Sequence, residues 1–229
     1  MWLFKNREDA GRQLAGLLSE YGRRSDVLVL GLPRGGVPVA AEVARALGAP
    51  VDVFLVRKLG VPGQPELAMG AIAEGGVRVL TQDLIAQLGI PAAAIDQVAA
   101  HERLELERRE RLYRGDRQRP AVRDRTVLVI DDGLATGATM EAAVVALKSL
   151  HPAAVVVAVP VGAHDTCRRL ARIADRVVAV ATPEPFSAVG LWYGDFSQTT
   201  DDEVRGVLAS AGRVPRATGH HSPPIPSGL

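Results

Sequence analysis

VLVIDDGLATGAT, residues Val127–Thr139, carries the clearest structural signal in this chain of 229 residues. A run of aliphatic residues leads into two adjacent carboxylates, Asp131 and Asp132, and a loop of small and hydroxyl-bearing residues follows. An apolar stretch with helical spacing, Met140–Leu150, comes next. This order predicts a buried strand, a short loop and a helix, the repeating unit of a parallel α/β sheet. Both acids are therefore expected at the carboxyl end of the strand, the edge where open parallel sheets bind ligands.

The loop after the two acids has the composition of an anion site. Gly137 permits close approach of the backbone, and Thr136 and Thr139 offer hydroxyl donors. The helix that follows would direct its N–H groups and the positive end of its dipole at a phosphate. A ligand that satisfies both the acids and the loop needs vicinal hydroxyls and a phosphate, and ribose 5-phosphate has both.

The same segment resembles the phosphoribosyl-pyrophosphate-binding motif of the type I phosphoribosyltransferases. The resemblance implies that Asp131 and Asp132 are catalytic residues that hold the ribose hydroxyls. It implies that a loop cradles the 5′-phosphate, formed by Ala135, Thr136, Gly137, Ala138 and Thr139. A Walker-B-like strand end, or any parallel strand that ends in acids, is the alternative. Hydrophobic residues followed by two aspartates would be a weak signal alone, and the ATGAT loop at this offset favours the family.

A second glycine loop, GLPRGGVP at Gly31–Pro38, repeats the same strand-loop-helix order. Arg34, Gly35 and Gly36 would expose backbone N–H groups and a guanidinium, which suit a diphosphate. The loop resembles the family's pyrophosphate loop, particularly the form in the xanthine and guanine enzymes, where a non-proline cis peptide precedes the residue matching Arg34. A tight turn whose glycines only permit packing is the alternative.

Two basic residues, Arg57 and Lys58, follow the predicted strand Val51–Val56 and precede Leu59–Glu66, which its glycines and prolines predict to be a loop. The resemblance implies basic residues here and a mobile loop that closes to keep water from a cationic ribosyl transition state. Arg57 is thus a candidate pyrophosphate ligand and Lys58 a candidate catalytic contact. A solvated strand-end charge is the alternative for Lys58.

One departure from the family concerns the acceptor. The hypoxanthine and guanine enzymes carry an aspartate, the proposed general base, at the position of Ala135. The loop resembles the ATG form of the adenine and uracil enzymes instead, which argues against a 6-oxopurine and leaves the general base open.

The segment Pro183–Phe196 resembles the hood that recognises the acceptor, where Phe186, Trp192 and Tyr193 could stack on a ring. Packing of a small satellite core is the preferred alternative for at least two of these aromatics.

The family pattern does not explain His101–Arg114, HERLELERRERLYR, within a predicted helical insertion over about residues 81–114. Glu and Arg at helical spacing predict an exposed helix. It could cover the sheet, form an oligomer contact or lend an arginine to a phosphate; a solvated helix is the default interpretation.

Bulk properties narrow the class of protein. The formal net charge is +1, which gives no global field to recruit nucleic acid. One cysteine, Cys167, rules out an intramolecular disulfide and fits a reducing compartment. The amino terminus lacks an apolar signal core, and no apolar run reaches membrane-spanning length. We therefore expect a cytoplasmic protein with neither nucleic-acid nor membrane partners.

Together these features predict an α/β fold: an open, mostly parallel twisted sheet with helices on both faces and a small hood at about residues 182–200. One domain is expected over residues 1–211, and residues 212–229 are predicted to form a disordered tail. The implied activity is transfer of the 5-phosphoribosyl group from phosphoribosyl pyrophosphate to a small nitrogenous, nucleobase-like acceptor. Mg²⁺ is the implied cofactor, held mainly through the substrate, with Asp131 and Asp132 contacting it at most through water. A homodimer or larger assembly is expected.

Two other functions remain compatible with the sequence. A regulator on the same fold could bind phosphoribosyl pyrophosphate or a nucleotide without transferring anything. A hydrolase of phosphoribosyl compounds would use water as its acceptor.

Overall fold

A computed structural model of the chain describes residues 2–211, in which eight strands form two sheets. A parallel sheet has the strand order β2-β1-β6-β7-β8, and an antiparallel sheet has the order β3-β4-β5. The strands are β1 (Val27–Gly31), β2 (Val51–Val53), β3 (Val56–Val61), β4 (Gln64–Ala73), β5 (Val77–Leu80), β6 (Thr126–Ile130), β7 (Ala154–Val161) and β8 (Arg176–Ala181). The helices are α1 (Arg7–Leu17), α2 (Gly36–Leu47), α3 (Gln82–Leu88), α4 (Ala92–Arg114), α5 (Ala138–Lys148), α6 (His164–Leu170) and α7 (Asp201–Ala211).

The parallel sheet is buried on both faces, as its unbroken aliphatic strands predict. Along β6, Val127 and Val129 pack with α5, while Leu128 and Ile130 pack with α1 and α2. This alternation follows from the two-residue period of a strand. The predicted mostly parallel sheet with helices on both faces is therefore confirmed. The parallel register pairs Gly31 with Ile130, so β1 and β6 end level with each other.

The prediction of a loop at Leu59–Glu66 is wrong. Strands β3 and β4 form an antiparallel hairpin there, with its tip at Pro62 and Gly63. The register shifts around Gly60, and a Cβ on that glycine would lie 2.7 Å from the carbonyl oxygen of Pro65. Glycines and prolines suggested a loop because they are rare in central strands, yet hairpin edges and bulges accept both. A second hairpin joins β4 to β5 around Glu74–Gly76 and pairs Ala73 with Val77.

Helix α4 covers the antiparallel sheet, so the default interpretation of a solvated helix is wrong for one of its faces. Ile95 and Ala99 pack against apolar residues of β3 and β4. Within the stretch His101–Arg114, Leu106 and Tyr113 are buried in one apolar cluster with residues of β2 and α7. At the other end of α4, the Arg114 side chain is only 1% exposed. It donates hydrogen bonds to Glu74 at 3.0 Å and pairs with Asp52 at 3.4 Å. This buried arginine joins the parallel sheet, the β4–β5 turn and α4.

The hood follows β8 and is held by the amino-terminal segment. The N–H groups of Leu3 and Phe4 donate to the carbonyl of Trp192, and Gly194 donates to the carbonyl of Phe4. Residues 2–211 include no helix that is both long and apolar enough to cross a membrane. The predicted tail, 212–229, lies outside the described residues.

Candidate active site

The glycine loop after β1 and the acids after β6 are packed against each other. A Cβ on Gly35 would lie 1.9 Å from Oδ2 of Asp132, and one on Gly36 would lie 2.8 Å from Cα of Asp131. These contacts leave no room for a side chain on either glycine. A cis peptide bond joins Pro33 to Arg34. The glycines therefore serve packing, and the Arg34 side chain, which is 36% exposed, is accessible to a ligand.

The two carboxylates at the end of β6 have different neighbours. Asp132 accepts hydrogen bonds from Arg7, whose Nε and terminal nitrogen lie 2.9 and 2.8 Å from Oδ2. Oδ1 of Asp131 accepts the N–H of Asp132 at 2.9 Å. Burial and the charge of Asp132 raise the pKa of Asp131 well above its ordinary value. Burial also raises the pKa of Asp132, and the Arg7 guanidinium opposes that increase.

Arg7 is a site residue that the sequence did not reveal. It begins α1, where the Asn6 side chain caps the helix by accepting the N–H of Asp9. Besides holding Asp132, it donates to the carbonyl of Ser197 at 2.6 Å and lies 4.1 Å from the centre of the Phe196 ring. Arg7 therefore connects an acid of the strand end to the hood. No local pattern distinguishes it from the other arginines of the chain.

The loop after the two acids, residues 135–139, is partly exposed and carries backbone N–H groups that could bind an anion. Gly137 has a φ of +75° and precedes the first residue of α5. Ala135, Thr136 and Thr139 are exposed. Within residues 2–211, the backbone N–H groups from Ala135 to Thr139 have no hydrogen-bond acceptor. The carbonyl oxygens of this loop, in contrast, accept hydrogen bonds within the protein. Thr166 donates to the carbonyl of Ala135 at 2.7 Å, and Arg169 donates to the carbonyl of Thr136.

A cleft of about 840 Å³ lies beside the glycine loop. Pro33 and Thr139 border it from the parallel sheet, and Arg57 and Lys58 border it from β3. Arg57 donates to Glu102 of α4 at 2.6 Å. Lys58 donates to Glu66 at 3.2 Å. The structure thus brings both predicted basic residues to one cleft with the end of the predicted phosphate loop.

The three aromatic residues proposed for acceptor stacking pack largely on protein. Tyr193 is 3% exposed, and its ring centre lies 5.2 Å from that of Phe4. Its hydroxyl donates to the carbonyl oxygen of Asp132 at 2.6 Å. Phe186 and Trp192 stack on each other with ring centres 6.4 Å apart. The satellite-core interpretation therefore holds for these rings, and Tyr193 supports the strand end instead of offering a stacking face.

Comparison with known proteins shows which family the chain belongs to. The sequence model of the phosphoribosyl transferase domain matches residues 4–186, and the chain belongs to that family. Two Mycobacterium tuberculosis proteins, from strains CDC 1551 / Oshkosh and ATCC 25618 / H37Rv, carry phosphoribosyl transferase in their names. Each is 51% identical over 213 residues, which is 93% of this chain and 48% of the relative. The chain thus spans about half the length of the curated relatives it matches.

A solved structure shows the same fold. The crystal structure of TT1426 from Thermus thermophilus has a TM-score of 0.85 and 44% sequence identity. The match covers 92% of this chain and 99% of the Thermus chain. The match of the domain model and the two named relatives confirm the predicted family resemblance.

Proposed function

We propose that the chain is a Mg²⁺-dependent phosphoribosyltransferase that transfers the 5-phosphoribosyl group to a nitrogenous acceptor and releases pyrophosphate. One observation carries the proposal: the acid pair, the packed glycine loop and the N–H groups without acceptors lie at neighbouring carboxyl ends of one parallel sheet. A phosphorylated sugar has the hydroxyls and the phosphate that such an edge can bind.

In this proposal, Asp131 and Asp132 bind the ribose hydroxyls, and residues 135–139 bind the 5′-phosphate. The acceptor nitrogen forms a bond to the anomeric carbon while the bond to pyrophosphate breaks. The leaving oxygen takes the electron pair of that bond, and the proton of the acceptor nitrogen passes to the pyrophosphate or to solvent. The negative acids favour the positive charge that develops on the sugar. Arg34, Gly35 and Gly36 hold the leaving group together with Arg57 and Lys58, and the hairpin and hood limit access of water.

The donor chemistry of the site fits Mg²⁺ bound mainly through its substrate. Asp131 and Asp132 supply the carboxylate oxygens that Mg²⁺ prefers. Burial and the charge of Asp132 raise the pKa of Asp131, and a nearby cation would oppose that increase. Among the described residues, no three His, Cys, Asp or Glu side chains form a group that could hold a metal. When bound with the diphosphate, the ion would neutralise charge on the leaving group. The two acids would contact it at most through water.

The test measures pyrophosphate release from phosphoribosyl pyrophosphate with Mg²⁺ and a panel of nucleobases. The double variant Asp131→Asn, Asp132→Asn should lose about 10²–10³-fold in turnover, because it removes the charge that stabilises the transition state. Asp116→Asn, at an exposed position outside the site, is the matched control. Circular dichroism checks that each variant is folded. Turnover that survives the double substitution would contradict the proposal.

Ala135 leaves the general base open, because it stands where the hypoxanthine and guanine enzymes carry their proposed base. The assay therefore also tests a regulator and a hydrolase. A non-catalytic regulator would bind phosphoribosyl pyrophosphate without releasing pyrophosphate under any condition of the panel. A hydrolase would release pyrophosphate equally well with no nucleobase present. The same assay therefore separates all three functions.

A further inference from the structure

Helix α4 forms a wall of the cleft that the family motifs do not include. Glu102 and Arg109 from α4 border the cleft, across from Arg57 and Lys58 of β3. The helix reaches this position because its apolar face packs on the antiparallel sheet and the buried Arg114 fixes its carboxyl end. The charged residues near its middle are thereby held at the mouth of the site.

Positive charge is concentrated around this cleft. Arg57, Lys58 and Arg109 border it, and Arg34 follows the bordering Pro33. Arg34 lies 3.9 Å from Asp201, and Asp201 accepts a hydrogen bond from the hydroxyl of Tyr113 of α4 at 2.5 Å. Three cations thus border an opening that an anion can enter, and Arg34 adjoins it.

Each cation that borders the cleft has a carboxylate partner that a stronger anion could displace. Arg109 donates to Glu105 at 2.7 Å, and its side chain is 32% exposed. The partner of Lys58, Glu66, is 96% exposed. Glu102 holds Arg57 and is the least exposed of these partners, at 19%. Partly exposed pairs of this kind contribute little to stability, so their exchange for a diphosphate costs little.

We propose that Arg109 of α4 binds the pyrophosphate group together with Arg57 and Lys58, and that Glu102 competes with the ligand for Arg57. The identity of the anion rests on the proposed function. Arginine suits this role because its planar fork donates two hydrogen bonds to phosphate oxygens, and such charge-assisted bonds are stronger than neutral ones. Helix α4 would then be a specificity element for the diphosphate, and its tight packing would place Arg109 before the ligand arrives.

The chain offers a matched control for Arg109. Arg108 is its neighbour in sequence and binds the same carboxylate, Glu105, at 2.7 Å, but it does not border the cleft. The affinity of inorganic pyrophosphate, with Mg²⁺, is measured by titration calorimetry on the full chain. Arg109→Met should weaken binding about tenfold, because a charge-assisted contact is lost. Arg108→Met should change it less than about twofold, because its charge is more exposed to solvent. Equal effects of the two variants would overturn the proposal.

A second pair tests the competition at Arg57. Glu102→Gln should strengthen pyrophosphate binding about threefold or more, because it removes a negative charge that occupies Arg57. Glu107→Gln, on an exposed part of α4 outside this cleft, should leave binding unchanged. Unchanged or weaker binding by Glu102→Gln would show that Glu102 does not compete for Arg57, and would overturn the competitive role.

Failure of this inference differs from failure of the proposed function. If the wild type binds pyrophosphate and the Arg109 variant does not, the role of Arg109 is supported even when no nucleobase supports turnover. If turnover is observed while the Arg109 and Arg108 variants bind pyrophosphate equally, the proposed transfer is supported and the role of Arg109 is wrong. Absence of pyrophosphate binding by the wild type overturns the role of Arg109.

Discussion

The two sides of the candidate active site are built in different ways. On one side, the ends of β1 and β6 meet through backbone and glycine contacts, with Gly36 against Asp131. On the other side, β3 and α4 meet across the cleft through ion pairs such as Arg57 with Glu102. Contacts of the first kind tolerate almost no change in shape, whereas side-chain ion pairs can be exchanged for a ligand. The side that orients the sugar is therefore expected to be rigid, and the side that receives the leaving group adaptable.

The largest effect is expected where the two sides are joined. Replacement of Arg114 by Met leaves the buried carboxylates of Glu74 and Asp52 without their main cation. Breaking a buried ion pair in this way costs about 3–5 kcal/mol. We expect the free energy of unfolding, measured by denaturant titration, to fall by that amount. Arg111→Met, at an exposed position one turn earlier in α4, should change it by at most about 0.5 kcal/mol. Similar values for the two variants would mean that the buried network does not join the two sides.

The rigid side is tested by filling the close contact between Gly36 and the backbone of β6. In Gly36→Ala the new Cβ would lie 2.6 Å from the carbonyl oxygen of Ile130, a backbone atom that cannot rotate away. Overpacking of this kind costs about 1–3 kcal/mol, again read from denaturant titration. The control is Gly16→Ala in α1, where nothing lies within 4 Å of the new Cβ. There alanine should stabilise the helix by about 0.5–1 kcal/mol. A tolerated alanine at position 36 would show that the strand ends can separate.

Lowering the pH should raise the free energy of unfolding of the wild type relative to that of a Glu74→Gln variant. Burial raises the pKa of Glu74 from 4.5 to about 6, against the lowering effect of Arg114. A carboxyl whose pKa is raised by folding binds its proton more tightly in the folded state, so stability falls as pH rises from 4.5 to 6. The wild type should therefore gain up to about 2 kcal/mol relative to Glu74→Gln between pH 7 and pH 4.5. Unfolding titrations at several pH values measure this difference. A relative loss on acidification would mean that the ion pair with Arg114 outweighs burial.

Arg7 should affect catalysis more than folding. Arg7→Met removes the cation that opposes the raised pKa of Asp132, so the acid limb of the kcat/KM profile should move to higher pH. The loss in kcat/KM should therefore be larger at acid pH than at neutral pH. Arg7→Lys keeps the charge and should restore most of it. A uniform loss at all pH values, without rescue by lysine, would indicate a purely structural contact with the hood.

The rigid side was also the side that the sequence predicted. Aliphatic runs, adjacent acids and small residues are local patterns, and each maps directly onto a strand end and its loop. The segments Val127–Thr139 and Gly31–Pro38 are therefore where the sequence placed them, on adjacent parallel strands.

The adaptable side could not be predicted, because its contacts join residues far apart in sequence. Arg57 meets Glu102, and Arg7 meets Asp132, only after the sheets have assembled. The alternating Glu and Arg residues of α4 predict a solvated helix, and nothing in that local pattern indicates that Arg114 is the buried one. The β3–β4 hairpin was mistaken for a loop since proline and glycine have the same local signature in both.

The most direct test is a crystal structure of the full chain soaked with ribose 5-phosphate and Mg²⁺. The account predicts the phosphate on the N–H groups of residues 135–139 and the sugar hydroxyls within hydrogen-bond distance of Asp131 and Asp132. A phosphate bound instead among Arg57, Lys58 and Arg109, with the sugar turned away from both acids, would contradict it.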